Sequence, residues 1–271
     1  MFPTPCKIST ITATGGVNTL INLHVLYENV DIGETAGIVY IECERGKGDN
    51  NAYRGKNLML KSTKKKKELK RFDNQVTCIV SVNGVNYVNV KVFKNGRIQM
   101  TGLKYIEQGK AIIDCIIDNL KLIYFEKGKT NVVGSVNSLM NTNYAIQLIN
   151  SDFKVGMEIR RDRLNKLIQV NYSVLSSFEP CIYPGVKIQF FWNKKKAGCH
   201  DGICECEGFC DGRGASDCKK ITIAVFRSGC IIITGAQTLD QINDAYNFIC
   251  NVIKNHKSDL EKSLPIPSQL V

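Results

Sequence analysis

The sequence repeats part of itself. Val92-Phe-Lys-Asn-Gly-Arg-Ile-Gln-Met-Thr-Gly102 and Val225-Phe-Arg-Ser-Gly-Cys-Ile-Ile-Ile-Thr-Gly235 share Val, Phe, Gly, Ile, Thr and Gly at six of eleven ungapped positions. Each copy is followed by a segment whose apolar residues have helical spacing. A repeat of this kind restricts the chain to architectures that can be built twice, so two similar halves are expected. Within each copy Val, Ile and Phe favour extended backbone, and Asn95-Gly96 or Ser228-Gly229 tolerates the positive φ of a hairpin turn. Each copy therefore reads as strand, tight turn, strand.

The flanking segments supply the remaining elements. Lys7 to Thr14 reads as a first strand closed by Gly15-Gly16 and followed by a helix over Val17 to Tyr27. Gly37 to Cys43, Gln75 to Val82 and Tyr87 to Phe93 read as strands, with a turn at Asn83-Gly84. Tyr105 to Leu122 places Ile106, Ala111, Ile112, Cys115, Ile116 and Leu120 on one helical stripe. In the second half Thr130 to Val136 reads as a strand, Met157 to Ile168 as a helix, and Tyr172 to Phe178, Val186 to Trp192 and Lys219 to Phe226 as strands. The last helix opens on Thr238 and Gln241, the spacing of a capping box, and ends near His256.

This order predicts an α+β fold, a pseudo-symmetric saddle of two repeats, each a curved antiparallel sheet backed by helices. The expected divisions are residues 1–126, with a basic insertion over about 44–70, residues 127–256, with a cysteine-rich insertion over about 193–218, and a tail over 257–271. The run Lys64-Lys-Lys-Lys-Glu-Leu-Lys-Arg71 is either solvated surface or a phosphate contact.

A net charge of +11 suits an anionic partner, nucleic acid being the commonest. No charged region followed by an apolar run opens the chain, and no apolar stretch reaches membrane-spanning length, so an intracellular protein without membrane partners is expected. Twelve cysteines in such a compartment point to metal or free thiols before disulfides. Cys199, His200, Cys204, Cys206, Cys210 and Cys218 crowd into one glycine-rich segment with little apolar material. Zinc bound by four of these six would organise it; a flexible or redox-active loop and a disulfide knob are the other readings. The segment joins the strand after Tyr183 to the strand before Phe226, so it belongs at the far sheet end, about 20 Å from both aromatics.

Three motifs of the second half carry a family resemblance: Asn131-Val-Val-Gly-Ser135, Ser176-Ser-Phe-Glu-Pro-Cys-Ile-Tyr-Pro-Gly185 and Val225 to Ala236. In this order they resemble the first strand, stirrup and hairpin of the TATA-box-binding protein family. In the first half Lys70-Arg-Phe72 and Val92 to Gly102 resemble the corresponding motifs. The insertions and the Leu264-Pro-Ile-Pro tail resemble divergent homologues encoded by large DNA viruses.

The resemblance implies a non-enzymatic initiation factor that binds and bends A/T-rich promoter DNA through the minor groove, as a monomer, in a nucleus or a cytoplasmic viral factory. It implies apolar wedges at Phe72, Phe93, Tyr183 and Phe226, inserted between base steps; this family is a standing example of that mode. It places Thr10, Thr12, Gln99, Thr101, Asn131, Val133, Ile232 and Thr234 on the groove floor. It also implies an initiation-factor surface, of the kind that meets factor IIB and the polymerase machinery, at Glu179 and Ile182. Polar Thr10, Thr12 and Gln99 predict an altered A/T preference in the first half. The alternative is a protein-interaction scaffold that kept the saddle and lost strict TATA binding.

Overall fold

The computed structural model describes residues 3–43, 52–59, 74–81, 84, 86–196, 200–213 and 217–262. Phe72, Cys199, Asn83, the basic run from Lys64 to Arg71 and the Leu264-Pro-Ile-Pro stretch lie outside the described residues. In chain order the elements are β1 (Lys7–Val17), α1 (Leu23–Asn29), β2 (Ile38–Cys43), β3 (Ala52–Gly55), β4 (Gln75–Ser81), β5 (Tyr87–Phe93), β6 (Arg97–Leu103) and α2 (Gln108–Phe125). Short 3-10 turns at Thr130–Val132 and Val136–Ser138 lead into β7 (Asn141–Lys154) and α3 (Arg161–Asn171). The chain continues through β8 (Ser176–Ser177), β9 (Val186–Asn193), β10 (Cys218–Val225), β11 (Cys230–Ala236), α4 (Leu239–Asn255) and α5 (Lys257–Leu260).

Two compact units result: Thr10–Gln147, the N-terminal unit, and Met1–Ser9 with Leu148–Val271, the C-terminal unit. The strand order is β3-β2-β4-β5-β6-β1 in the first and β7-β11-β10-β9-β8 in the second, with antiparallel pairing throughout both registers. Alternation along the strands explains why each sheet buries one face. Val88, Val90, Val92, Ile98 and Met100 are buried in the N-terminal unit, as are Ile112, Ile113, Ile116 and Leu120 of α2. Val186, Ile188, Phe190, Ile221, Ile223, Ile231 and Ile233 are buried in the C-terminal unit with Ile242, Ala245, Ile249 and Val252 of α4. Each such side chain larger than alanine contributes about 1.5–3 kcal/mol relative to exposure.

The repeat extends to single hydrogen bonds. In one unit the Val17 amide donates to Gly96 O at 2.9 Å and the Ile21 amide to Lys94 O at 2.9 Å. In the other the Val155 amide donates to Gly229 O at 3.0 Å and the Ile159 amide to Arg227 O at 2.9 Å. Gln108 accepts from the Lys104 amide through Oε1 at 2.8 Å, and Gln241 accepts from the Gln237 amide at 2.7 Å. The turn glycines have φ of +81° at Gly96 and +76° at Gly229. A Cβ on either would stand 2.3 Å from a backbone carbonyl, that of Thr19 or Met157, which no side chain accommodates.

The closing glycines of the repeat have a different role. Gly102 and Gly235 have φ of +105° and +97°. The ladders slip by one residue here, between Ile11↔Leu103 and Thr12↔Thr101 in one unit and between Ile233↔Ser151 and Ala236↔Ile149 in the other. Both are glycine bulges, which explains why Thr-Gly ends each copy.

Several expectations are corrected. β1 runs through Gly15 and Gly16 instead of ending there, because both are close-approach positions: a Cβ would meet Ile113 Cδ1 at 2.5 Å or Gly96 O at 2.8 Å. The first helix is accordingly short, Leu23–Asn29, capped at Asn22, whose side chain accepts from the Val25 amide. Within the basic segment Ala52–Gly55 forms a strand on β2, and Arg54 donates to the carbonyls of Tyr27 and Glu28 at the end of α1. The second-half helix starts at Arg161, not Met157, and only Ser176–Ser177 of the expected Tyr172–Phe178 strand pairs.

The largest correction concerns Thr130 to Val136, which is not a strand but a 3-10 turn and a single bridge, Ile21↔Val133. Residues 127–147 are bonded into the N-terminal unit: the Asn22 amide donates to Val132 O at 2.8 Å and the Gly134 amide to Leu20 O at 3.0 Å. The division between units therefore follows Gln147, where the sequence reading placed it after residue 126.

Candidate nucleic-acid interface

Opposite its buried face, each sheet presents rows of side chains set by strand register. In the N-terminal unit one row runs Thr12, Thr101, Asn89 and ends on Ile79, which is buried with Val39 and Tyr40, and the next runs Thr14, Gln99, Lys91, Thr77. Thr10, Thr12 and Thr14 alternate with buried Ile11 and Ala13, and exposed Arg97, Gln99 and Thr101 alternate with buried Ile98 and Met100. In the C-terminal unit the rows run Asn150, Thr234, Thr222, Gln189 and Asp152, Ile232, the small and buried Ala224, Lys187. Ile232 and Thr234 sit opposite buried Ile231 and Ile233, the alternation the sequence implied.

Asn131 and Val133 belong to neither row. Val133 is buried, Asn131 is exposed in the 3-10 turn, and both line a cleft of about 470 Å³ with Leu20, Asn22, His24 and Lys94. The matching hydrogen bonds of Val17 and Val155 identify the strand residues that take their place. Counting back from each valine, Thr12 corresponds to Asn150 and Thr10 to Leu148 on β7. Thr234 donates through Oγ1 to Asn150 Oδ1 at 2.6 Å, where Thr12 faces Thr101. The signal was present in Tyr144, Ile146 and Leu148, which alternate with polar or small residues, but Asn131-Val-Val-Gly-Ser135 imitates a strand motif more closely.

Phe93 and Phe226 enter the same turn. The Gly96 amide donates to Phe93 O at 2.9 Å and the Gly229 amide to Phe226 O at 3.0 Å, and both rings are half-buried. Tyr183 lies in the bend before β9, its amide bonded to Glu179 O at 2.8 Å, with its ring centroid 5.8 Å from that of Phe226. Gly185 makes room for the pair: a Cβ there would meet Tyr183 Cε1 at 2.9 Å and Phe226 Cε1 at 3.2 Å. Lys187 Nζ stands 4.2 Å from the Tyr183 ring centroid, leaving a cation beside the aromatic pair. Arg161 braces the bend by donating to Pro184 O and stacking 4.8 Å from the Phe178 ring. Glu179 is exposed on this bend and Ile182 is 78% exposed.

The cysteine-rich connection joins Asn193 to Cys218, which pair at the end of the β9–β10 ladder opposite Val186↔Val225. Eight residues of strand separate it from Tyr183 and Phe226, about 23 Å. Four of the six expected ligands converge: the Sγ atoms of Cys204, Cys206, Cys210 and Cys218 all lie within 4.8 Å of one another, a group able to hold a metal ion. His200 is not among them; it is buried, stacked on Trp192 at 5.0 Å, with Nε2 3.6 Å from Asp244 Oδ2. Lys196 binds Glu205 at 2.5 Å and Asp201 at 2.9 Å, hydrogen bonds that raise its pKa to about 12, the one to Glu205 most. No helix among the described residues is long and apolar enough to cross a membrane.

An antiparallel sheet backed by a long C-terminal helix, built twice from one repeat, defines an α+β protein of the TATA-binding fold. The solved structure of Methanococcus jannaschii TBP superposes with a TM-score of 0.54 over 93% of this chain and 99% of that one, at 17% identity. Residues 143–256 match the family model described as transcription factor TFIID, or TATA-binding protein. A TATA-box-binding protein-like protein of Acanthamoeba polyphaga mimivirus is 31% identical over 98% of this chain and 69% of its own length. The chain belongs to the TATA-box-binding protein family, as a divergent member similar to a viral one. That family consists of DNA-binding transcription factors and not of enzymes.

Proposed function

We propose that this protein is a general initiation factor that binds A/T-rich duplex DNA in the minor groove with the solvent-facing rows of its sheets, and bends it with aromatic wedges. The observation that carries the reading is the Tyr183–Phe226 pair, held at a braced bend at the end of rows whose side chains are neutral or basic apart from Asp152. Inserting rings between base steps costs a few kcal/mol of unstacking, offset by the contact area a bent duplex allows. Lys91, Arg97 and Lys187 on these faces suit flanking phosphates. Thr12, Thr101, Thr222 and Thr234 suit a floor that meets acceptors on A·T pairs.

Glu179 and Ile182, on the bend next to Tyr183, are the proposed contact for a factor IIB-like protein that brings in the polymerase. A monomer on DNA, acting in a nucleus or a cytoplasmic viral factory, completes the reading. A metal ion in the cysteine cluster would be structural, since DNA binding asks no chemistry of it. Asn150, Asp152 and Gln99 on the floor favour a second reading, a scaffold of the same fold without strict TATA binding.

Electrophoretic shift with an A/T-rich duplex carrying end-labels for energy transfer separates the two. Salt-dependent binding with shortened end-to-end distance, lost in Phe226→Ala and Tyr183→Ala, is expected of the initiation factor. Indifference to both substitutions, or no binding at low salt, would leave the scaffold.

A further inference from the structure

We infer that Cys204, Cys206, Cys210 and Cys218 hold one zinc ion as a tetrahedral tetrathiolate that builds the β9–β10 lobe and takes no part in contacting duplex DNA. Sulfurs about 2.3 Å from a zinc ion form a tetrahedron with edges of about 3.8 Å. All four Sγ atoms already lie within 4.8 Å of one another, and Cys206 and Cys218 approach to 3.4 Å. That separation exceeds the disulfide length of about 2.05 Å, and a disulfide explains the meeting of two sulfurs, not four. Thiolate sets select soft or borderline ions such as zinc over magnesium or calcium.

Among the described residues the lobe is held by the His200–Trp192 stack and the Lys196 ion pairs rather than by an apolar core. Its large apolar residues face water: Phe209 is 96% exposed and Ile203 is 38% exposed. Small segments without a core need a covalent or metal staple. The backbone instead serves the sulfurs. Cys204 Sγ accepts from the Cys206 backbone and Cys218 Sγ from the Glu205 backbone, bonds that fix where the sulfurs stand. Gly208, with φ +79° and open space where a Cβ would be, turns the chain between Cys206 and Cys210. Gly212 brings the loop back, its carbonyl accepting from the Lys220 amide at 2.9 Å.

His200 has a separate task. Stacked on Trp192 and facing Asp244, it fastens the start of the loop to β9 and α4. Because Cys218 is the first residue of β10, the ion would clamp the loop to the mouth of the ladder and leave the Tyr183–Phe226 end untouched. The metal site does not rest on DNA binding; its separation from the DNA face rests on the proposed function.

The test uses the full chain, expressed with zinc and purified without chelator. Elemental analysis should find one zinc per chain, lost in Cys206→Ser and Cys210→Ser and kept in Cys199→Ser and Cys181→Ser. Cobalt-exchanged wild type should show the intense charge-transfer and ligand-field bands of four thiolates around a tetrahedral ion, a readout that does not depend on a variant folding. Zinc near zero, a brown iron–sulfur chromophore, zinc retained in Cys210→Ser, or a cobalt spectrum of fewer than four thiolates each overturns the ligand assignment. Wild type stripped of zinc by chelator should still shift an A/T-rich duplex as the zinc form does. If only the zinc form shifts it, the separation of lobe from DNA face fails while the metal site stands.

Discussion

The β5–β6 hairpin of one unit and the β10–β11 hairpin of the other share turn, bulge and hydrogen bonds, and differ on the side that faces solvent. Buried Val92, Ile98 and Met100 answer to buried Val225, Ile231 and Ile233. On the other face Lys91 and Gln99 stand where Ala224 and Ile232 stand, and Thr14 where Asp152 stands. Only the Phe93/Phe226 and Thr101/Thr234 pairs are kept there. Packing density resists change in a core, whereas a solvent-facing floor is constrained only by what binds it. The difference between the units is therefore a difference in what each face meets.

The shared frame can be broken first. Gly96→Ala and Gly229→Ala each force a side chain into a left-handed φ and onto a carbonyl 2.3 Å away. Strain and overpacking together should cost about 3 kcal/mol in each case. Chemical denaturation of both variants measures it. If one glycine is costly and the other neutral, the two turns are not equivalent and the frame is not truly repeated.

Aromatic wedges come next. Phe93 and Phe226 open the same turn, so truncation of either to alanine should weaken duplex binding by about 2 kcal/mol, roughly 30-fold. Thermal stability should fall by less than truncation of a fully buried core ring would cost, because both rings are only partly buried. Equilibrium shift titrations at fixed salt give the comparison. A loss confined to Phe226 would assign bending to the C-terminal unit alone.

A smaller asymmetry lies at the helix starts. Thr238 and Gln241 form a full capping box on α4, whereas α2 begins at Glu107 with no side-chain cap and keeps only the Gln108 bond to Lys104. Thr238→Ala should cost about 1 kcal/mol, read as a lowered melting temperature without loss of DNA affinity. An unchanged melting temperature would mean that packing of Ile242 and Ile249 alone fixes that end of the helix.

Much of this comparison was legible in the sequence, and the misreadings have physical causes. The hairpins, the helices and the capping box announce themselves through local rules of propensity, period and cap chemistry, so Val92–Gly102 and Thr238–Gln241 were read for what they are. Gly15-Gly16 misled because a glycine needed for close approach to Ile113 is indistinguishable in sequence from one needed for a turn. Asn131 and Val133 misled because five residues of strand-like composition carry no information about pairing, and their partner is a single bridge to Ile21. The residue that holds the repeat position of Thr12, Asn150, is identified only through hydrogen bonds that tie Val155 to Gly229 as Val17 is tied to Gly96. Among the cysteines, spacing could not choose four of six, since Cys218 joins the cluster through the β9–β10 register and His200 leaves it by stacking on Trp192.

The subtlest test acts on the floor itself. Gln99 and Ile232 occupy one position of the repeat, each exposed or half-exposed between buried neighbours, so Gln99→Ile changes the face without touching the core. An isoleucine there removes an amide able to hydrogen-bond a guanine amino group or a bridging water, and adds apolar surface against the groove. Covering about 40 Å² of that surface contributes about 1 kcal/mol, so roughly fivefold tighter binding to an A/T-rich site is expected, with little gain on a G/C-containing one. Selection from a random duplex pool, run side by side on the wild type and the variant, reads both numbers. If the variant's preference narrows toward A/T on the half-site facing the N-terminal unit, Gln99 is the residue that relaxed it. If affinity and preference are both unchanged, the N-terminal face does not lie against the groove at this row, and the scaffold reading gains for that unit while the Tyr183–Phe226 end keeps its own test.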